Sequence, residues 1–98
     1  MNMQAMLKQA QKLKNDMDKT QTEINEMVFE GKSSLVNVKV DGTKKLLEAV
    51  INAEELDKDD IEMLQDMIVI ACNDAFKKVD KTVEEKMGAY TKGIPGLF

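Results

Sequence analysis

The amino-acid sequence predicts an α+β fold in which a long helix, a three-stranded antiparallel sheet and a second long helix follow one another along the chain. Three patterns predict it. Apolar residues recur at heptad spacing over 3–27, alternate with polar residues over 36–40, and return at helical spacing over 61–87. The 98 residues suit one domain, predicted over 1–88, followed by a flexible tail over 89–98.

The first helix is predicted over residues 3–27. Its apolar seam has the spacing of heptad a and d positions, and Thr20 is the one polar member. A helix of this length extends about 37 Å, whereas a six-residue strand covers roughly 20 Å. The sheet is therefore too short for the seam, and the overhang is expected to pack on another helix, in this chain or in a second copy. The seam consists of Met3, Met6, Ala10, Leu13, Met17, Thr20, Ile24 and Met27.

A β-hairpin is predicted over residues 35–51. Valines at 36, 38 and 40 alternate with polar residues, which is typical of a half-buried strand. The Asp41-Gly42 pair favours a tight type I′ turn with positive φ at both central residues. A first strand is predicted over 27–32, and Gly31 is a point where it can bend or bulge.

The third strand carries apolar residues on both faces. Strict alternation places Leu47, Ala49 and Ile51 on one face and Leu46, Glu48 and Val50 on the other. One face is expected to pack on the helices of this chain, and the other to meet a partner.

The second helix is predicted to begin at residues 57–60, where Asp59 and Glu62 have the spacing of a capping box. It is predicted to end at Gly88, a residue type common just after a helix. Residues 67–72 are apolar on every side, so this segment is expected to be covered on more than one side. One small sheet and one helix hardly suffice to cover this segment on all sides, which favours a homodimer. The predicted dimer interface contains Val69, Ile70, Leu46 and Val50.

The composition argues against an enzyme, a metal site and a membrane protein. The chain has no histidine, the commonest general base and metal ligand, and no Gly-rich phosphate loop. Cys72 lies among apolar neighbours and is predicted to be a buried, inert thiol. No cofactor or small-molecule substrate is expected. No apolar run approaches the roughly 20 residues that span a bilayer, and the N-terminus lacks the pattern of a secretory signal, so a cytoplasmic location is expected.

Charge is segregated along the chain although its net value is −4. Residues 1–22 contain four lysines against two aspartates, and residues 77–98 contain five lysines against three acidic residues. If the two helices are antiparallel, these basic ends project side by side and favour contact with phosphate. The alternative is an ordinary solvated helical face. The candidate DNA-binding residues are Lys8, Lys12, Lys14, Lys19, Lys77, Lys78, Lys81 and Lys86.

Several segments, in this order and at these spacings, resemble the YbaB/EbfC family of small bacterial nucleoid-associated proteins. They are residues 6–13, 36–42 with 50–51, 59–66, 73–75 and 93–98. The resemblance implies a helix–three-strand–helix protomer and a tweezer-like homodimer with projecting long helices. It also implies duplex DNA binding at the nucleoid, with effects on gene expression, and it supplies no catalytic residues.

Two functions follow as hypotheses. The first is a DNA-binding homodimer of low sequence selectivity, because the chain has no arginine, the best side chain for reading guanine. The alternative is a scaffold or protein-interaction dimer that binds a partner helix through the Met-rich seam, without DNA.

Overall fold

The computed structural model describes residues 2–92 and confirms the predicted α+β fold. The sheet is antiparallel with strand order β1-β2-β3. A short 3₁₀ turn precedes the second helix. The elements are α1 (Met3–Glu26), β1 (Val28–Ser33), β2 (Val36–Asp41), β3 (Leu46–Ile51), the 3₁₀ turn (Lys58–Asp60) and α2 (Ile61–Lys92).

The core lies between α2 and one face of β1 and β2. Small residues on α2 allow the helix to approach the strands closely, and the valines of β2 are fully buried against them. The alternation read from the sequence therefore identified the buried face of β2. The core side chains are Phe29, Val36, Val38, Val40, Ala71, Ala75 and Val79.

Gly31 lies where the backbone of α2 meets the sheet. The β1–β2 register runs unbroken from Val28↔Asp41 to Ser33↔Val36, so the predicted bend or bulge at Gly31 is wrong. A Cβ atom built on Gly31 would overlap the carbonyl oxygen of Ala71. The residue is glycine because the helix and the strand touch through their backbones.

We expect Gly31→Ala to destabilise the fold by about 1–3 kcal/mol or more, because the added methyl forces α2 away from the core. Urea denaturation measures this loss. Gly88→Ala is the matched control, since a Cβ there meets no atom within 4 Å and alanine favours a helix, so its stability should stay equal or rise. Equal stabilities of the two variants would contradict the close contact at Gly31.

The turn after β2 differs from the predicted type I′ turn. Positive φ falls on Lys44, at 66°, and not on Gly42. The Asp41 carboxylate accepts hydrogen bonds from the Thr43 hydroxyl and from the backbone nitrogens of Thr43 and Lys45, which lower its pKa. Gly42 serves another purpose, because a Cβ there would overlap the carbonyl group of Ile24. The turn is thus the place where the sheet meets the end of α1.

A β-bulge changes which residues of β3 share a face. The register shifts so that Lys39 pairs with Glu48 but Val40 pairs with Leu46. Leu46 therefore lies on the side of the sheet that faces α2, opposite to Val50, and the predicted common face of these two residues is wrong. Among residues 2–92 no helix covers β3, and all six of its residues are exposed. The predicted packing of β3 on the helices of its own chain is also wrong.

The two helices are antiparallel and overlap only in part. Ile24, near the end of α1, is fully buried, and Thr20 is hydrogen-bonded to Tyr90 near the end of α2. Residues 2–12 are exposed all round. The first half of α1 thus projects beyond α2, and the described chain is 71 Å long. Within residues 2–92 no second helix of this chain covers the overhanging seam, so the first of the two predicted alternatives is not found, and packing on a second copy stays a prediction.

The ends of α2 also differ from prediction. The capping interaction joins Asp57 and Asp60, whose Oδ2 accepts from the Asp57 backbone nitrogen at 3.0 Å, in place of Asp59 and Glu62. The predicted end at Gly88 is wrong, because the helix continues to Lys92. The rest of the predicted tail, 93–98, lies outside the described residues. Within 2–92, neither helix is both long and apolar enough to cross a membrane.

Candidate nucleic-acid interface

Three lysines form one exposed face of α1. At 3.6 residues per turn, Lys8, Lys12 and Lys19 fall within a sector of about 40°, on the side opposite the apolar seam. Lys14 is also exposed, but lies about 120° away from Lys8 around the helix. The lysine face spans roughly 16 Å along the axis and ends in the projecting half of α1.

The ion pairs among residues 2–92 lie in the body of the protein and none includes a lysine of α1. Lys39 lies 3.9 Å from Glu30 and 3.6 Å from Glu48, on the face of the sheet away from the helices. Lys44 contacts Asp80 at 2.7 Å. The body thus neutralises part of its own positive charge, whereas the charge on α1 remains open to an external anion.

Lys78 on α2 is bonded to the backbone of strand β1. Its Nζ atom donates to the backbone carbonyl of Glu30 at 2.7 Å and lies 3.5 Å from Asp74. Asp74 accepts in turn from the backbone nitrogen of Lys32 at 3.1 Å, which, with the Lys78 ammonium, lowers the pKa of Asp74. Together the two side chains satisfy backbone groups on the free edge of β1. We call Asp74 and Lys78 the edge cap.

The two basic regions are offset along the molecule and do not lie side by side as predicted. Lys8 precedes Thr20 by twelve residues and so lies about 18 Å beyond the Thr20–Tyr90 contact. Lys77 precedes Tyr90 by thirteen residues and lies about 20 Å from that contact in the opposite direction. The antiparallel arrangement is as expected, but among the eight candidate lysines, all within residues 2–90, only those of α1 lie beyond this contact, away from the body. Of the α2 lysines, Lys77, Lys78 and Lys81 lie near the sheet, and Lys86 lies nearer the contact.

A hydrogen bond that the sequence does not predict joins the two helices. Thr20 Oγ1 and Tyr90 Oη are 2.9 Å apart in a partly buried position. One feature of the sequence could have indicated this bond, because Thr20 places a hydroxyl at a seam position where the other members are apolar. A single polar residue in such a seam fixes the register of the two helices. This contact therefore sets the direction in which the lysine face projects.

We expect Thr20→Val and Tyr90→Phe each to lose about 1 kcal/mol of stability, and the double variant to lose little more than either one. The reason is that each single change already removes the shared hydrogen bond. Thr22→Val is the matched control, because Thr22 bonds only to the Asp18 carbonyl on an exposed turn, and it should change stability by less than about 0.5 kcal/mol. Strictly additive losses in urea denaturation would show that the two hydroxyls are not coupled.

Nothing in the described part of the chain resembles a catalytic or metal centre. No group of three or more potential metal ligands occurs there. Cys72 is half-buried and packs against the core, so it is less enclosed than predicted. A shallow depression of about 310 Å³ lies on the face of the sheet away from the helices, where Lys39 already bridges two carboxylates.

Comparison with known proteins decides the family. The model of the YbaB/EbfC DNA-binding family matches residues 1–94. The chain belongs to this family. Its members are DNA-binding proteins, which confirms both the predicted resemblance and the prediction that the protein is not an enzyme.

Individual YbaB/EbfC relatives agree with the match. A nucleoid-associated protein of Ligilactobacillus salivarius is 48% identical over 99% of this chain and 95% of its own length. One from Bacillus licheniformis is 50% identical over 99% of this chain and 94% of its own length. The crystal structure of an uncharacterized protein from Helicobacter pylori matches the fold with a TM-score of 0.72 and 21% identity, over 87% of this chain and 91% of that one.

Proposed function

We propose that the protein is a nucleoid-associated homodimer that binds duplex DNA through the lysine face of α1, with low sequence selectivity and an influence on gene expression. One observation carries the proposal. Lys8, Lys12 and Lys19 share an exposed face of a projecting helix, and no carboxylate within residues 2–92 forms an ion pair with them. Membership of a DNA-binding family supports DNA as the anion that meets this face.

The distribution of charge supports binding by the helix and not by the body. Residues 23–76 contain five lysines against thirteen acidic residues, so the body repels the DNA backbone. Lys8 and Lys12, on the projecting half of α1, lie about 16 Å or more along the helix from residue 23, which exceeds the Debye length of about 8 Å at physiological salt, whereas Lys19 lies nearer the body. An acidic protein can thus bind DNA if contact is confined to its helix. Lys14, Lys77, Lys81 and Lys86 are secondary contacts in this proposal.

The homodimer rests on apolar surface that a single chain leaves uncovered. Val69 and Ile70 on α2 are 58% and 55% exposed, and Leu46 and Ile51 on β3 are 48% and 42% exposed. A two-fold dimer in which each α2 covers the β3 of the other chain would bury both sets at once. Leu46 belongs to this surface. Val50, on the opposite face of the sheet, contributes only if the contact extends around the strand edge.

A mobility-shift titration of the full chain on a mixed-sequence duplex, at about 50 and 200 mM salt, tests the proposal. Two or three lysine–phosphate contacts per protomer predict a slope of log K against log salt of about −4 to −5. Absence of a complex at the lower salt would overturn it.

A second function is favoured by one observation. Met3, Met6 and Leu7 on the projecting half of α1 are 77%, 52% and 63% exposed. Such a seam is suited to an amphipathic helix of a protein partner, and in that case the dimer acts as a scaffold without DNA. The same titration separates the two functions.

A further inference from the structure

One face of α1 combines amides with lysines. Seven exposed side chains fall within a sector of about 100°, and Asp16 and Asp18 lie just outside it on either side. No carboxylate lies within this sector over residues 4–22. We call this the amide–lysine face. Its members are Gln4, Lys8, Gln11, Lys12, Asn15, Lys19 and Thr22.

The side-chain amides of Gln11 and Asn15 have no partner among residues 2–92. In the described part of the chain neither side chain forms a hydrogen bond. Gln21, on the same helix, differs because its Nε2 atom donates to Asn25 Oδ1 at 2.8 Å. Gln11 and Asn15 therefore keep both the donor and the acceptor of their side-chain amides for an external group.

The chemistry of an amide matches adenine and not guanine. In the major groove adenine presents the N7 acceptor beside the N6 donor, and a side-chain amide offers one donor and one acceptor at the same spacing. Guanine presents two acceptors, which call for the paired donors of arginine or for a lysine ammonium. The chain has amides on this face and no arginine.

The dimensions of α1 also fit the groove. Among residues 2–92 no other element packs on residues 2–12 at the start of α1, and a helix about 10–12 Å across matches a major groove about 12 Å wide. Gln11 and Asn15 are four residues apart, which is about 6 Å along the helix, or roughly two base-pair steps. Lys8, Lys12 and Lys19 on the same face then lie close to the phosphates that border the groove.

We propose that α1 lies in the major groove with Gln11 and Asn15 hydrogen-bonded to adenine, so that the protein prefers A·T pairs. This inference rests on the proposed function, since it specifies how the same helix meets DNA. The selectivity is modest, because two amides act against a background of lysine–phosphate contacts that ignore sequence.

The test compares three duplexes of equal length that contain A·T, G·C or inosine·cytosine pairs at the centre. Inosine·cytosine resembles A·T in the minor groove, because it lacks the guanine N2 amino group, but resembles G·C in the major groove. We expect binding about fivefold or more tighter to A·T than to both others. Replacing adenine by 7-deaza-adenine, which removes the N7 acceptor, should abolish that preference.

Substitutions on α1 test whether Gln11 and Asn15 cause the preference for A·T pairs. Gln11→Met and Asn15→Leu should each reduce the A·T preference roughly twofold or more, because the two amides share it, and should leave the salt slope unchanged, since no lysine is lost. Gln9→Met is the matched control, because Gln9 lies outside the amide–lysine face on the same projecting segment, and it should keep the full preference.

The outcomes separate this inference from the proposed function. Equal binding of wild type to all three duplexes overturns the inference alone, and so does tight binding to inosine·cytosine, which indicates minor-groove reading. A preference that survives in both amide variants also overturns it. Failure of wild type to bind any duplex at low salt overturns the proposed function together with the inference.

Discussion

Replacing Lys8, Lys12 and Lys19 by glutamine is expected to weaken binding to every duplex by at least about tenfold at 50 mM salt and to flatten the salt dependence. Each lysine that neutralises a phosphate contributes about −0.9 to the slope, so losing these contacts in both protomers should remove most of the slope and leave only the part that the secondary lysines contribute. Glutamine is an unbranched polar residue with a helix propensity close to that of lysine, and the helix is expected to stay folded. Fluorescence anisotropy at several salt concentrations measures both quantities.

The matched control removes the same number of charges from the body. Lys39, Lys45 and Lys58 are exposed, and replacing all three by glutamine changes the net charge equally. Lys39 loses two long surface ion pairs, which contribute little to stability. We expect the control to keep most of the slope. If both triple variants show the same slope, the binding surface lies elsewhere.

A glutamate at Val69 or Ile70 is expected to dissociate the proposed homodimer into folded monomers. These side chains are more than half exposed in the single chain, so its own core does not depend on them. A charge enclosed unpaired in an interface costs about 3–5 kcal/mol, which raises the dissociation constant by about 150-fold or more. Light scattering measures the mass, and circular dichroism checks that the helices remain.

Ala89→Glu serves as the control, since it places the same charge at an exposed position near the other end of α2. It should leave the mass of the assembly unchanged. A glutamate variant at Val69 that remains dimeric would show that this part of α2 lies outside the interface. A wild-type chain that is monomeric at micromolar concentration would contradict the homodimer itself.

The elements of the fold could be predicted because their patterns are local. The alternating valines of β2 and the heptad spacing of α1 each depend on which face one element buries, so these elements could be identified from periodicity alone. The buried stripe of α2 through Ala71, Ala75 and Val79 was found in the same way.

The errors arose where two elements meet. Gly42 was read as a turn residue, but its glycine is required by the carbonyl of Ile24, eighteen positions earlier in the chain. The bulge at Leu47 comes from pairing with β2 and leaves no mark in the alternation of β3 itself. The offset of the basic regions depends on the Thr20–Tyr90 contact between the helices. Each of these features depends on a contact between two distant parts of the chain, so the sequence of one segment does not predict it.

The candidate site was predicted in part. The shared face of Lys8, Lys12 and Lys19 follows from helical spacing, and the structure places all three on the exposed side of α1. The role of Lys78 was missed, because a hydrogen bond to the backbone of Glu30 depends on how α2 crosses β1.

The edge cap limits how many copies of the chain a growing sheet can contain. An exposed strand edge recruits further strands, and a sheet with two open edges can add chains at both ends without limit. Asp74 and Lys78 occupy backbone groups of β1, while the outer edge of β3 has no such cover within residues 2–92. A strand that added to β1 would have to displace the bonds at Lys32 N and Glu30 O, so extension of the sheet is disfavoured at β1 and favoured at β3. Asp74→Ala together with Lys78→Ala would remove this protection.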